Sequence, residues 1–234
     1  MRYNDLTVVL PTLNEEANIG SLIEDLEDTY KGIRILVVDD GSTDGTRKVV
    51  EEMRKMYPSV SLLDRRNAAL GRGLTASVID GIRRCRTDYV LVMDADFQHP
   101  YKHIGEMYRK IKGKFDIAIA VRRRVEHWPM HRRIVSKLMI FFGYFVLFAS
   151  GKELCNDIFS GYFCVRKMKF LETYGMNRKR FVPKGYKVLF DFLKCTRRNS
   201  LRIAEVPYTF TSRRHGTSKV SLSQGLHLIR SFFS

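Results

Sequence analysis

The chain has 234 residues, is 44% apolar, and carries 41 basic against 25 acidic side chains, for a formal charge of +16. That apolar content, without low-complexity tracts or internal repeats, excludes a disordered or fibrous chain and supports a sizeable core. The charge points to anionic partners: nucleic acid, acidic lipid or phosphorylated substrates.

Leu6 to Leu10 predicts a short buried strand ended by Pro11. In the following Pro11-Thr12-Leu13-Asn14-Glu15-Glu16, Asn14 is the expected helix cap. Acids then occupy the first turn of a helix reaching about Tyr30. Ile33 to Val38 predicts a second strand. It ends in Asp39-Asp40-Gly41-Ser42-Thr43-Asp44-Gly45, whose small residues turn the chain into a helix from about Thr46 to Tyr57. Val60 to Leu63 predicts a third strand. Leu70-Gly71-Arg72-Gly73 reads as a flexible basic loop before a helix from Thr75 to about Arg84.

Val90-Leu91-Val92-Met93 predicts a fourth buried strand running into Asp94-Ala95-Asp96-Phe97-Gln98-His99-Pro100. Two acids at i and i+2 point the same way from extended backbone. Asp94, Asp96 and Gln98 offer hard oxygen ligands, which suit Mg²⁺ or Mn²⁺ bridging a diphosphate. A bare D-x-D is also common in solvated turns, so the pair gains weight only from its surroundings. His103 to Lys112 is expected to be helical, and Phe115 to Val121 to form a fifth strand before Arg122-Arg123-Arg124. This alternation predicts an α/β fold with a mostly parallel sheet flanked by helices. Helical crossovers bring the carboxyl ends of parallel strands to one edge. Glu15, Asp39, Asp40, Asp94, Asp96 and Arg122 therefore converge.

The second half is less regular. His127 to Arg133 leads into an unusually apolar segment, Leu138 to Ala149, lying between Lys137 and Lys152. It is shorter than the ~20 residues that span a bilayer, so no transmembrane helix is expected in this chain. Apolar residues beside Arg132, Arg133 and Lys137 describe an amphipathic helix lying in a membrane interface; a buried core helix is the other reading. Asp157-Ile158-Phe159-Ser160-Gly161-Tyr162 follows, then Gly185-Tyr186-Lys187 ahead of a helix carrying Asp191. Leu201 to Phe210 predicts a strand, and Arg213 to Lys219 a basic loop. No secretory signal is visible. Cys85, Cys155, Cys164 and Cys195 form no C-x-x-C pair, so neither a zinc site nor a disulfide framework is indicated. A reducing, cytosol-facing location fits.

Taken together, these pieces resemble glycosyltransferases of family two, with the GT-A (Rossmann-like) fold. Within that family they look like the dolichyl-phosphate mannose synthases, a class of polyprenyl-phosphate sugar synthases. The matching blocks are Pro11 to Glu15, Val37 to Ser42, Met93 to Pro100, Asp157 to Tyr162, Gly185 to Lys187, and Glu205 to Tyr208 running into Arg213 to Lys219. They occur in family order over nearly the whole chain. The resemblance implies one catalytic domain over residues 1–234. Its nucleotide-sugar half would be 1–125, and its acceptor and membrane-interface half 126–234. It implies that Pro11, Leu13, Glu15, Val38 and Asp40 hold the nucleoside. Asp94, Ala95, Asp96 and Gln98 would surround the metal and diphosphate, and Arg122 would contact the nucleotide sugar. Arg132, Ser136, Arg213 and Lys219 would handle the acceptor phosphate or the diphosphate. Three departures stand out: Leu13 for the usual tyrosine, Phe97 for leucine, and His215 for arginine.

The implied reaction is inverting, metal-dependent transfer of mannose from GDP-mannose to dolichyl or another polyprenyl phosphate. It would occur at a membrane surface, with the active site facing the cytoplasm and room for small membrane-anchor subunits. A lipid phosphate is ionised near neutral pH and attacks without a general base, which leaves Asp191 a structural or orienting part. UDP-glucose as donor and a hydroxyl acceptor are the alternatives, and the hydroxyl acceptor needs a base. A nucleic-acid-binding protein is the distant alternative, although nucleic acid is not an expected partner. The basic residues are scattered through loops, and the converging carboxylates would repel a phosphate backbone.

Overall fold

A computed structural model describes residues 1–125, 130–185, 187–197, 199–211, 214 and 230–232, with backbone alone at 124, 125 and 130–135. The chain runs β1 (Leu6–Thr12), α1 (Glu16–Thr29), β2 (Arg34–Asp39), α2 (Thr46–Met56), β3 (Val60–Asp64), α3 (Leu74–Arg84), β4 (Tyr89–Val92), α4 (Ile104–Lys112) and β5 (Ile117–Val125). It continues through α5 (Met130–Ala149), β6 (Phe163–Arg166), α6 (Lys167–Met176), α7 (Val188–Cys195) and β7 (Ile203–Phe210). The five strands expected in the first half are present within a few residues of their expected ends. Helix α6 was not foreseen.

One seven-stranded sheet results, in the order β3-β2-β1-β4-β6-β5-β7. The pairings are parallel except for β6, which runs antiparallel between β4 and β5. Both halves of the chain thus contribute to the same sheet. Alternate residues of each strand feed opposite cores. Val8, Leu10 and Leu91 face α1, α2 and α4. Val9, Val90 and Val92 face α3, α5, α6 and α7. The helices therefore cover both faces, as a mostly parallel sheet requires.

Helix α5 lies over the second core with one side only. Leu147 is fully buried, while Leu138, Phe141, Phe145 and Phe148 are exposed along the opposite side at spacings of three and four. Its close approach to the body depends on Gly143. A Cβ there would meet Ile158 Cδ1 at 2.7 Å and Phe159 Cζ at 2.9 Å. Tyr144 adds a hydroxyl bond to the Cys155 carbonyl at 2.6 Å. No described helix is long and apolar enough to cross a membrane.

Candidate active site

The carboxyl ends of β1 and β2 form the first wall. Pro11 and Thr12 pair with Val38 and Asp39, and the Asp40 N–H donates to the Thr12 carbonyl at 2.9 Å. Asn14 does not cap α1. Its φ of 54° turns its side chain away from the helix, and its Oδ1 accepts the Thr43 N–H at 2.8 Å. The helix start is instead closed from the neighbouring loop. Asp44 accepts the Glu16 N–H at 3.2 Å, and Glu16 accepts the Gly45 N–H at 2.9 Å. Glu15 is buried. Its N–H donates to Thr46 Oγ1, and its carboxylate accepts from Asn18.

Asp39 and Asp40 have different roles. Asp39 is fully buried and accepts the Gly41 and Ser42 N–H groups at 3.1 and 3.0 Å, together with the Ser42 hydroxyl. It staples its own turn. Asp40 is held by Arg65 through one oxygen and by the Gly73 N–H, at 2.7 Å, through the other. Burial pushes the Asp40 carboxyl above its usual range, opposed by the Gly73 N–H and by Arg65 and Arg72. The 70–73 segment is fixed rather than free: Arg72 donates to the Asp40 and Gly41 carbonyls at 2.8 and 2.9 Å. The Val38 side chain packs into the core beneath α3, so only its backbone lies near this wall. Leu13 is partly exposed at the rim.

The second wall is the turn after β4. Asp94 is 37% exposed at its side chain, whereas Asp96 is only 2% exposed overall. Asp96 accepts the Gln98 N–H at 3.0 Å, and Gln98 Nε2 donates to the Thr211 carbonyl at 3.0 Å. Between them Phe97 adopts φ 64°, an uncommon conformation for a residue with a side chain. The segment after β7 holds it there. The Arg214 N–H donates to the Asp96 carbonyl at 3.3 Å, and the Arg214 guanidinium lies over the Phe97 ring at 5.0 Å.

His99 supports the turn from behind. Its Nδ1 accepts the Asp94 N–H at 3.0 Å, and its ring stacks on Tyr162. Burial pushes the imidazole down to about 4, so the neutral ring is the acceptor. Gly161 lies in front of Asp94. A Cβ there would sit 3.8 and 3.9 Å from the two carboxylate oxygens. That is ordinary van der Waals contact, so the glycine and the carboxylate are neighbours. Hard oxygens on a turn suit a divalent cation such as Mg²⁺ or Mn²⁺. Among the described residues no group of three or more His, Cys, Asp or Glu forms a self-contained metal cage.

The third wall carries charge of the opposite sign. Arg122, near the end of β5, forks onto Asp157 through Nε at 2.6 Å and Nη2 at 2.8 Å. Burial opposes the Arg122 charge, but the Asp157 bonds outweigh it and raise its pKa above the ordinary value. Its guanidinium also lies over the Phe210 ring at 5.7 Å. The loop carrying Asp157 is tied at several points: Ser160 donates to the Ala120 carbonyl at 2.7 Å, and Asn156 donates twice to Glu205. The His99 ring lies 5.9 Å from the Phe210 ring that the Arg122 guanidinium covers, so the second and third walls meet around His99.

Asp191 is 1% exposed. It accepts the Val182 N–H at 3.0 Å and the Ser231 hydroxyl, and it pairs with Lys194 at 3.1 Å. Burial pushes its carboxyl up. Of the residues expected at the acceptor phosphate, Ser136 lies half-buried on α5 and Arg132 is known only by its backbone there. Arg213 and Lys219 lie outside the described residues, as does Tyr186. The expectation named Asp40 and Arg122 but missed their partners Arg65 and Asp157, whose signal appears only once burial is known.

Several known proteins are similar to this chain. The chain is 34% identical over 221 residues to a dolichol-phosphate mannosyltransferase of Pyrococcus furiosus. That match covers 92% of this chain but spans 59% of the relative's length. It is 33% identical to the polyprenol monophosphomannose synthase of Mycolicibacterium smegmatis, covering 92% of this chain and 80% of that one. Among solved structures, glucosyl-3-phosphoglycerate synthase from Mycobacterium tuberculosis, bound to Mn²⁺, UDP and its product, superposes with a TM-score of 0.62 at 20% identity. This covers 97% and 76% of the two chains. Mannosyl-3-phosphoglycerate synthase from Rubrobacter xylanophilus gives 0.63 at 18%, covering 97% and 72%. These likenesses fix the fold as GT-A. The family model of glycosyl transferase family 2 matches residues 7–175, and the chain belongs to that family.

Proposed function

We propose that this glycosyltransferase moves a mannosyl group from GDP-mannose to a polyprenyl phosphate such as dolichyl phosphate, at a membrane surface. The observation that carries the reading is the meeting of the Asp94–Asp96 turn and the Asp157-held Arg122 around His99. One wall suits a cation-bridged diphosphate, and the facing wall suits an anion. The names of the relatives point the same way.

In this reading Pro11, Leu13, Glu15 and Asp40 receive the nucleoside. Asp94, Asp96 and Gln98 would hold Mg²⁺ or Mn²⁺, which neutralises charge on the diphosphate. A phosphate oxygen of the lipid attacks the sugar's anomeric carbon as the bond to the diphosphate breaks. The bonding pair leaves with the nucleoside diphosphate, and the configuration inverts. The attacking phosphate is already ionised, so the chain need not remove a proton. Arg122 stabilises the negative charge that crosses the site. Asp191, bound to Val182, Ser231 and Lys194, fits a structural part in this scheme.

The lipid would be met through α5. Its exposed Leu138, Phe141, Phe145 and Phe148 form one apolar stripe, with Lys137 and Lys152 at the two ends. Each Phe buried in an interface adds ~1.5–3 kcal/mol, and each Lys near an anionic surface about 1 kcal/mol. The site then faces the cytoplasm. Flotation with anionic vesicles tests this contact: wild type should rise with the lipid and Phe145→Glu should rise less. Wild type remaining in the soluble fraction would remove the membrane part of the reading.

The reaction is tested by offering radiolabelled GDP-mannose, and UDP-glucose in parallel, with a short-chain dolichyl phosphate and Mn²⁺. The expected result is a lipid-soluble product from GDP-mannose that a chelator abolishes. Product from UDP-glucose alone would change the donor. Transfer only to added glycans would establish a hydroxyl acceptor and refute the base-free scheme.

A further inference from the structure

Tyr208, near the end of β7, is 4% exposed, and its hydroxyl oxygen is buried without a hydrogen-bond partner among the described residues. Other tyrosines of the fold are bonded. Tyr30 donates to the Tyr101 carbonyl at 2.7 Å, Tyr144 to the Cys155 carbonyl at 2.6 Å, and Tyr162 to the Pro100 carbonyl at 3.0 Å. Register and ring contacts place Tyr208 where the second and third walls meet. It is the partner of Arg122 in the β5–β7 pairing. Its ring meets the His99 ring edge-on, with centroids 6.0 Å apart, and His99 accepts the Asp94 N–H. Three residues on, the Thr211 carbonyl accepts the Gln98 amide, and beyond it the Arg214 N–H donates to the Asp96 carbonyl. Tyr208 thus stands at the root of the segment that holds the carboxylate turn.

The rings of His99, Tyr162 and Phe210 pack around Tyr208 and would accept a phenylalanine equally well. Packing therefore explains the ring and not the hydroxyl. A buried hydroxyl without a partner lowers stability, because it has given up water and gained nothing in return. A trapped water is the simplest remedy. The surroundings offer another. Burial pushes the phenol well above its ordinary pKa, and Arg122, Asp157, Asp94 and Asp96 all act on it. It stays protonated, a donor that adds no charge. Of the three carboxylates, Asp157 is gripped by Arg122 through both oxygens, and Asp94 is partly exposed. Asp96 is buried, as the hydroxyl is. Carboxylates that ligate a cation are themselves oriented by hydrogen bonds from donors behind them.

We propose that Tyr208 is a positioning residue of the carboxylate turn, its hydroxyl donating to the Asp96 carboxylate once the turn holds a divalent cation and a diphosphate. This rests on the reading of the turn given above. The same hydroxyl then lowers the stability of the free protein and strengthens the loaded site. Neither packing nor a trapped water produces that pairing of effects.

The test compares wild type with Tyr208→Phe. Thermal midpoints are measured without ligand and with GDP and Mn²⁺. Titration calorimetry gives the affinities for GDP with Mn²⁺, for GDP alone, and for a water-soluble short-chain isoprenyl phosphate. Without ligand, Tyr208→Phe should melt at or slightly above the wild-type temperature. Its affinity for GDP with Mn²⁺ should fall about tenfold, as expected for one lost hydrogen bond to a charged group, and the rise in midpoint on adding both should shrink. GDP alone and isoprenyl phosphate should each bind within about twofold of wild type. A lowered midpoint without ligand would show a hydroxyl already bonded through a trapped water, and would overturn the proposal. So would unchanged affinity for GDP with Mn²⁺. A tenfold loss that persisted without Mn²⁺ would put the hydroxyl on the nucleotide rather than on Asp96, and a loss confined to isoprenyl phosphate would put it on the acceptor; either result refutes the assignment. Wild type that prefers UDP with Mn²⁺ over GDP would sink the GDP-mannose reading alone, and the same comparison made with UDP would decide Tyr208.

Discussion

The first and third walls of the candidate site each centre on an arginine gripping a carboxylate near the end of a strand. Arg65 is 1% exposed, and it commits four of its N–H groups to protein: Nε to Asp80, Nη1 to Asp40 and Ser77, and Nη2 to Gly71. Arg122 has a side chain 14% exposed and gives its Nε and one Nη2 bond to Asp157. A guanidinium has five N–H groups, so the two arginines differ in what they can still offer a ligand. Arg65 builds a wall, whereas Arg122, with two donors committed among the described residues, is aimed by Asp157. A buried ion pair can therefore serve as scaffold or as machinery, and the count of committed donors separates the two.

The largest effect is expected at the scaffold. Arg65→Met removes the cation from Asp40 and Asp80 and leaves Asp40 buried without its ion-pair partner. Breaking such a pair costs about 3–5 kcal/mol of stability. Chemical denaturation should show that loss, and the Asp40 wall should fail to bind nucleotide in whatever protein remains folded. A loss below about 1 kcal/mol would place Arg65 with ordinary surface pairs and dissolve the contrast.

The two pairs also differ in how far the sequence discloses them. The D-x-D turn was legible because its oxygen-bearing side chains lie within five residues of one another and follow a plain apolar strand. The strand ends carrying Asp40 and Arg122 were legible for the same local reason. The partners were not. Asp157 lies 35 residues from Arg122, and Arg65 sits in an Asp64-Arg65-Arg66 run that reads as a solvated charge cluster. Local pattern carries no information on which of two adjacent arginines turns inward. Asn14 misled for a related reason: caps are recognised by residue type, but its positive φ aims it at Thr43 of another loop. The antiparallel β6 was equally hidden, because a four-residue apolar run states neither direction nor neighbour.

An intermediate effect is expected at the machinery, and it should appear in rate more than in stability. Asp157→Asn keeps the shape of the side chain but removes the charge that fixes the Arg122 fork. Transfer efficiency should fall roughly 10–100-fold, equivalent to about 1.4–2.8 kcal/mol in the barrier. Arg122→Lys should fall similarly, since an ammonium cannot reproduce a two-point grip on a carboxylate. Both variants should lose less denaturation midpoint than Arg65→Met. An Asp157→Asn enzyme with unchanged kcat/KM would show that Arg122 needs no aiming and would make the Arg122–Asp157 pair scaffold too.

The smallest effect is expected where the same chemistry lies at the surface. Asp116 accepts the Arg202 side chain through both oxygens, at 3.1 Å each, and the Arg202 N–H at 2.9 Å, closing the start of β5 against β7. Arg202 is exposed, so water and salt screen the pair. Burial alone would raise the Asp116 carboxyl, but the Arg202 bonds outweigh it and hold it below the usual carboxylate range. A carboxyl depressed in the folded state binds its proton less readily than in the unfolded chain. Its contribution is therefore complete above the unfolded pKa and disappears as pH falls through the folded one. Asp116→Asn should lower the thermal midpoint only slightly at neutral pH and low salt. The difference from wild type should vanish in strongly acidic buffer, and shrink in high salt at any pH. A difference that persisted in both conditions would mean that the backbone N–H bond, not the charge pair, does the closing. The ranking of the three arginines would then follow hydrogen-bond geometry rather than burial.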